Sequence, residues 1–103
     1  MELNEMLEVS ILLDYYRNLL SDRQKEYLLE HFEEDLSLTE IGKKYNVSRQ
    51  AVYDNIKRGI KILRDYEKKI GFYKRDLELL AQLEDLKKNF KIENLEKIIE
   101  KNF

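Results

Sequence analysis

Two helix-starting signals stand close together in the middle of this chain, and the stretch between them most constrains its fold. Ser37 is followed three residues later by Glu40, which is the spacing of a capping box, and Ser48 precedes the next apolar stripe. Asn46 lies between them, and Asn tolerates a left-handed backbone better than most side chains other than Gly. The pattern predicts a short helix, a tight turn and a second helix, which together form a helix-turn-helix.

Apolar residues repeat at helical spacing on both sides of that turn. Ile41 and Tyr45 give the first helix an inward face, and Gly42 on the same side allows the second helix to approach closely. Val47 is expected to be an apolar plug in the turn. The predicted buried stripe of the second helix consists of Val52, Ile56, Gly59, Ile60 and Leu63. We therefore expect the two helices to pack against each other.

The rest of the chain is also predicted to be helical. It contains no Pro and three Gly, so helix breakers are rare, and no segment alternates with the period of a strand. The predicted helices span residues 3–19, 22–33, 38–45, 48–69, 72–89 and 92–101, with a capping box at Ser21 and Gln24 and a break at Gly71. The fold class is thus predicted to be all-α.

The predicted helices are organised around the helix-turn-helix. We expect a single domain over residues 1–103. The helix-turn-helix core occupies residues 21–69, an N-terminal helix precedes it, and a C-terminal helical extension follows over residues 70–103.

Charge is distributed unevenly along the sequence. The whole chain has a formal net charge of -2. Residues 37–64 contain seven basic and two acidic side chains, whereas residues 1–36 contain three basic and ten acidic ones. The positive charge is therefore concentrated on the helix-turn-helix, and a basic helix of this kind indicates a nucleic-acid ligand.

The solvent face of the predicted helix 48–69 carries side chains typical of a nucleic-acid reader. Its candidate binding residues are Arg49, Gln50, Tyr53, Asp54, Lys57, Arg58 and Lys61. In a helix-turn-helix, the N-terminal residues of the second helix usually reach base edges and later basic residues contact phosphates. The first three residues are therefore candidate base readers, and the last three are candidate phosphate contacts.

Other classes of function find little support in the sequence. His31 is the only histidine, and the residues near it are mostly carboxylates, so no metal site is predicted. The absence of Cys excludes disulfides and thiolate metal sites. No nucleophile–base pair or phosphate-binding Gly loop is present, so we expect neither an enzyme nor a cofactor. The chain has no apolar run near the ~20 residues of a membrane span and no signal peptide, which favours a cytoplasmic protein without membrane insertion.

The helix-turn-helix segment resembles known bacterial proteins. Residues 19–64 resemble region four of bacterial sigma factors, the module that reads the promoter's upstream element. The segments DYYRNLLSDRQKEYL, DLSLTEIGKKYNVSRQAVYDNIKR and LRDYEKKIGFY are similar to the YlxM-like family, small bacterial proteins with a sigma-region-four-like fold. SRQAVYDNIKR, residues 48–58, is the most specific of them, and residues 74–103 match only as charged helix.

The resemblance to sigma factors implies a set of groove-facing residues. Carried over by position, the set consists of Arg49, Gln50, Tyr53 and Asp54. Ala51, Tyr53 and Asn55 stand where sigma factors usually carry basic or apolar residues. The chain also has no region for binding core polymerase, so a role as a sigma factor on its own is not implied.

The resemblance to the YlxM-like family implies a regulatory or accessory role. Genes of this family typically lie beside the gene for the signal recognition particle GTPase, which implies a part in the particle's protein-targeting pathway. Two hypotheses remain. The first is a nucleic-acid binder whose ligand is DNA or the particle's RNA. The second is a protein-interaction module that binds the GTPase through the acidic residues 1–36 without contacting nucleic acid.

Apolar residues after residue 65 form two helical stripes. One consists of Tyr73, Leu77 and Leu80, and the other of Leu79, Leu83, Leu86 and Phe90. Together they make a face too wide for one small partner helix to cover. The face packs either on the N-terminal helix of the same chain or on a second copy. We expect a homodimer formed through the N-terminal helix and these stripes.

Overall fold

The computed structural model describes residues 3–103, and six α-helices dominate this part of the chain. The helices are α1 (Leu3–Tyr16), α2 (Asp22–Phe32), α3 (Leu38–Tyr45), α4 (Arg49–Ile70), α5 (Phe72–Lys88) and α6 (Ile92–Asn102). Residues 3–103 contain no strand, so the all-α prediction is confirmed. The predicted first helix is too long, because α1 ends at Tyr16 and a 3₁₀ turn continues over Arg17–Leu19.

The chain forms two compact units. The described residues up to Ile70 form the first unit, which contains α1 to α4, and Gly71–Phe103 form the second, which contains α5 and α6. Gly71, the first residue of the second unit, has a φ of 73°, a left-handed conformation that Gly adopts without steric penalty. The predicted helix break at Gly71 is therefore confirmed. The description of residues 1–103 as one domain stays a prediction.

Helix α4 is the central element of the first unit and packs against α1, α2 and α3. Every residue of its predicted stripe, from Val52 to Leu63, is buried. The stripe belongs to one core with Leu13 and Tyr16 of α1 and Leu28 of α2. Burial of this stripe fixes the rotation of α4 about its own axis, and the opposite side of the helix is left to solvent.

The apolar stripe of α1 is buried only in its second half. Val9, Leu12 and Leu13 are almost fully buried in the core. Leu3 and Leu7, on the first two turns of the same helix, are 80% and 61% exposed. The first two turns of α1 therefore leave apolar surface uncovered.

Capping hydrogen bonds begin each helix of the helix-turn-helix. Ser37 Oγ accepts from the Glu40 amide at 3.0 Å, and the Glu40 carboxylate accepts from the Ser37 amide at 3.0 Å, so the predicted capping box is present. The hydrogen bond from the Ser37 amide is the main reason that the pKa of Glu40 is lowered. Ser48 Oγ caps α4 by accepting from the Ala51 amide at 3.0 Å. At Ser21, the hydroxyl accepts from the Gln24 amide at 3.3 Å, which is one half of the predicted box.

The turn between α3 and α4 depends on its backbone rather than on an apolar plug. Asn46 has a left-handed backbone with φ 57° and ψ 46°, as predicted. Val47 is 40% exposed, so the prediction that it plugs the turn is wrong. Its amide instead donates to the Gly42 carbonyl at 2.9 Å. A Cβ atom on Gly42 would lie 2.8 Å from the Val47 carbonyl oxygen, so Gly42 makes room chiefly for the turn itself and not for the body of α4.

A buried carboxylate links α2 to α3 and holds the first helix of the motif in place. Glu30 is 6% exposed, and its Oε1 accepts from Lys44 Nζ and, at 2.8 Å, from the Tyr45 hydroxyl. Burial and the bond to Glu30 raise the pKa of Tyr45. The bond to Glu30 also raises the pKa of Lys44. The Tyr45 ring lies 5.1 Å from the Tyr27 ring and 4.5 Å from the Arg23 guanidinium, which closes the cluster on its outer side.

Candidate nucleic-acid interface

The solvent side of α4 carries every residue predicted to bind nucleic acid. Arg49, Gln50, Tyr53, Asp54, Lys57, Arg58 and Lys61 are all exposed. At 3.6 residues per turn, these positions fall within roughly half of the helix circumference. The core stripe from Val52 to Leu63 occupies the opposite side. The structure therefore brings the seven residues together on one face, which we call the α4 face, while their roles toward bases or phosphates stay predictions.

Four cations on the α4 face are available to a ligand. They are Arg49, Lys57, Arg58 and Lys61, and within residues 3–103 none of them forms an ion pair with a carboxylate. Lys57 lies near an aromatic ring instead: its ammonium is 5.7 Å from the centre of the Tyr53 ring. Unpaired, hydrated cations in a row are the arrangement that meets successive phosphates.

Gln50 and Asp54 form a pair within the α4 face. Gln50 Nε2 donates to Asp54 Oδ1 at 3.0 Å, across one turn of the helix. This bond fixes the orientation of the amide and leaves its carbonyl oxygen and one N–H for a ligand. The negative charge of Asp54 repels phosphate. Its position therefore suits the orientation of Gln50 better than contact with a nucleic-acid backbone.

An acidic edge from α1 borders the α4 face. Arg64 lies one turn beyond Lys61, and its Nη2 is 2.7 Å from the Glu8 carboxylate of α1. This bond to Glu8 raises the pKa of Arg64. The first cation of α4 beyond Lys61 is therefore already paired with a carboxylate. Sequence reasoning found the acidic and basic segments but missed this pair, because 56 residues separate its members.

A concave site adjoins the α4 face, and we call it the α4 cavity. It has a volume of about 540 Å³. Helix α4 contributes Arg49, Gln50, Tyr53 and Lys57 to its lining. The remaining lining residues are Glu5 of α1, His31 of α2, Ser37 and Leu38 at the start of α3, and the core residues Ile56 and Ile60. No local pattern in the sequence could reveal this cavity, because it forms where four separate helices meet.

A second depression continues along the same helix. It has a volume of about 490 Å³, and its lining includes Lys57, Arg58 and Lys61. Lys57 lines both hollows and so stands at the boundary between them. Because of these two depressions, the surface along the α4 face is uneven rather than flat.

His31 has a local role at the end of α2. Its Nδ1 lies 2.8 Å from the Leu36 carbonyl oxygen, and because a carbonyl only accepts, Nδ1 carries the proton. Within residues 3–103 there is no group of three or more side chains placed to hold a metal ion. In the same part of the chain, no helix has the length and apolar character needed to cross a membrane.

Comparison with known proteins identifies the family. Residues 3–102 match the UPF0122 family, which is described as "Putative helix-turn-helix protein, YlxM / p13 like". A UPF0122 protein of Fusobacterium nucleatum is 58% identical over 100 residues, which cover 97% of each chain. A UPF0122 protein of Clostridium novyi is 47% identical over 78 residues, which cover 76% of this chain and 68% of the relative. One from Lactococcus lactis is 35% identical over an alignment of 111 residues that covers both chains completely. The predicted resemblance is confirmed, and the chain belongs to the YlxM/p13-like family of helix-turn-helix proteins.

Proposed function

We propose that the protein is a nucleic-acid-binding regulatory or accessory protein that acts by binding rather than by catalysis. The observation that carries this proposal is the α4 face, where Arg49, Lys57, Arg58 and Lys61 are exposed and have no described ion-pair partner. The second helix of a helix-turn-helix is the element that enters the major groove in DNA-binding proteins. Membership of a helix-turn-helix family supports the same role.

The nucleic acid in this proposal is DNA or the RNA of the signal recognition particle. The protein would then act in the cytoplasm, in the protein-targeting pathway of that particle. The support is the family resemblance, because genes of YlxM-like proteins typically lie beside the gene for the particle's GTPase. The gene order points to a pathway, while the α4 face points to the chemistry of the ligand.

A second candidate function is a protein-interaction module that binds the signal recognition particle GTPase without contacting nucleic acid. The observation that favours it is the acidic character of residues 1–36, which carry ten acidic and three basic side chains. One of these acidic residues, Glu8, forms an ion pair with Arg64. The two candidates differ in which surface binds, so variants of α4 separate them.

Substitutions of Lys57 and Arg49 are expected to weaken binding in different ways. Loss of a phosphate contact in Lys57→Ala should weaken all sequences alike, and should lower the slope of log affinity against log salt by about one. Loss of a base contact in Arg49→Ala should relax discrimination at one position by about 1–3 kcal/mol. Fluorescence anisotropy with duplex DNA and with the particle RNA, repeated over a range of salt concentrations, measures both quantities.

Lys97→Ala is the matched control, because it removes one exposed positive charge from α6 instead of α4. We expect it to leave the slope at the parental value. If Lys57→Ala and Arg49→Ala bind every probe as Lys97→Ala does, the α4 face is not the binding surface. Binding of the purified GTPase by all three variants would then favour the second candidate.

The protein is further proposed to be a homodimer, because its second unit leaves much apolar surface exposed. No residue of Gly71–Phe103 is buried. Leu83 and Phe90 of the predicted stripe are 40% and 68% exposed, while Leu79 and Leu86 are half-buried. In the first unit, Leu3 and Leu7 of α1 are exposed as well. A two-fold dimer would carry two α4 faces, which suits half-sites about 34–36 Å apart on a duplex.

Sedimentation equilibrium at tens of micromolar tests the dimer. We expect a species of twice the chain mass, and we expect Leu83→Glu combined with Leu86→Glu to convert it to the monomer. Circular dichroism of that variant should retain the helical signal, which would separate lost association from lost folding. A parental protein that sediments as a single chain contradicts the dimer.

A further inference from the structure

We propose that the α4 cavity binds one unstacked nucleotide of an RNA strand, so that the protein binds an RNA bulge or loop more tightly than a fully paired RNA stem. This inference rests on the proposed function, because the phosphates of the same strand are held by the α4 face. It adds a specific ligand to that function, which is one unstacked base bound in the α4 cavity.

The size and lining of the cavity suit a nucleobase. Its volume of about 540 Å³ lies within the range of roughly 300–1,000 Å³ that is usual for sites of small ligands. Leu38, Ile56 and Ile60 supply apolar lining, and Tyr53 supplies an aromatic ring that is 40% exposed. A base has apolar faces and polar edges, so it can stack on Tyr53 while its edges meet the polar groups of the cavity.

Three polar groups in the lining can form hydrogen bonds with the edge of a base. The Gln50 amide is held by Asp54 and keeps one N–H and its carbonyl oxygen for a ligand. His31 donates from Nδ1 to the Leu36 carbonyl, so Nε2 is the ring nitrogen left for a ligand. The Glu5 carboxylate also lines the cavity and accepts from exocyclic amino groups. Acceptors of this kind favour a base that carries an amino group over uracil.

The cations around the cavity favour a nucleotide within a strand over a free base. Arg49 and Lys57 line the cavity, and Lys57 also lines the neighbouring depression, where Arg58 and Lys61 stand beside the carboxylates of Glu5 and Asp54. A strand that places one base in the cavity can therefore run its phosphates along α4 toward Lys61. A free mononucleotide has the same base and one phosphate, but it cannot reach the second depression at the same time.

RNA supplies such a nucleotide more readily than duplex DNA does. Taking a base out of a regular duplex requires unpairing and unstacking it, whereas bulges and loops of RNA already present unstacked bases. The deep, narrow major groove of an RNA helix also excludes side chains, so sequence-specific readers usually bind these irregular places. An RNA hairpin that carries one unpaired nucleotide is thus the simplest ligand for both the cavity and the α4 face.

Three RNA hairpins with the same stem test the proposal. One is fully paired, one carries a single bulged adenosine, and one carries an abasic nucleotide at the bulge, which keeps the kink and the phosphate but removes the base. We expect the parental protein to bind the adenosine bulge about 5- to 140-fold tighter than the abasic bulge, as measured by fluorescence anisotropy. Tyr53→Ala should reduce this ratio to near one, and Tyr53→Phe, which keeps the ring, should retain it.

The outcomes separate this inference from the proposed function. Equal affinity for the adenosine and abasic bulges, together with steep salt dependence for all hairpins, overturns the inference and leaves the proposed function standing. Failure to bind any hairpin or duplex DNA overturns both. Competition by free adenosine monophosphate at concentrations close to the hairpin Kd would make the cavity a mononucleotide site and would also overturn the inference. Circular dichroism melting of both Tyr53 variants verifies that they are folded.

Discussion

Gly42→Ala is expected to lower the melting temperature by roughly 4–24 °C, although it is the smallest change possible at that position. The new Cβ atom would lie 2.8 Å from the Val47 carbonyl oxygen, which is main chain and cannot rotate away. Moving it disturbs the hydrogen bond from the Val47 amide to Gly42 and the left-handed turn at Asn46. Overpacking of this kind costs about 1–3 kcal/mol, and each kcal/mol shifts the melting temperature of a domain this size by about 4–8 °C.

Gly59→Ala is the matched control, because it places a methyl group in a helix at an equally short distance. Its Cβ atom would lie 2.7 Å from Leu28 Cδ1, which is the end of a flexible side chain that can move. The higher helix propensity of Ala, worth about 1 kcal/mol, offsets part of the repacking. We expect this variant to stay within about 1 kcal/mol of the parent in urea unfolding. Equal losses in both variants, or a Gly42→Ala protein that melts like the parent, would contradict the assigned role of Gly42.

Removing both partners of Glu30 is expected to destabilise the protein by about 2–3 kcal/mol. In Lys44→Met combined with Tyr45→Phe, the buried carboxylate loses both groups that donate to its Oε1. Its Oε2 already has no hydrogen-bond partner within residues 3–103. Breaking a buried ion pair from one side usually costs about 3–5 kcal/mol, and the value here is lower because the Lys44 side chain is half exposed. Urea unfolding at neutral pH measures the loss.

A triple variant that also carries Glu30→Met tests the physical reason for that loss. With the carboxylate removed, no buried charge is left without partners, and apolar replacements of buried ion pairs are often neutral or stabilising. We expect the triple variant to recover most of the stability, although it differs from the parent at more positions. If it is as unstable as the double variant, the loss comes from packing of α3 and not from the unpaired carboxylate.

The features that could be predicted from the sequence are those fixed by neighbouring residues. The capping box at Ser37, the left-handed Asn46 and the buried stripe of α4 each depend on a few consecutive positions or on one helical period. The same holds for the exposed α4 face, because a helix with one side buried leaves its other side to solvent. The helix-turn-helix and the position of its candidate residues were therefore accessible without a structure.

The features that sequence reasoning missed depend on contacts between distant segments. Val47 is apolar enough to suggest burial, but its neighbours in the sequence do not reveal that the turn leaves it 40% exposed. The burial of Glu30 depends on Lys44 and Tyr45. The ion pair of Arg64 depends on Glu8, which belongs to another helix. The α4 cavity likewise exists only after four helices have met. The apolar periodicity within one helix carries no information on contacts between separate helices.

The ion pair between Glu8 and Arg64 has a consequence for the kinetics of association. It marks the line where the acidic α1 meets the basic α4 within one compact unit. A polyanion therefore exerts a torque on the approaching protein: it repels one side of that unit and attracts the other. Collisions are oriented before contact, and a larger fraction of them begins with α4 toward the phosphates. A chain with a net charge of -2 can in this way associate faster than a neutral protein with its charges evenly spread, and this advantage fades as salt is added.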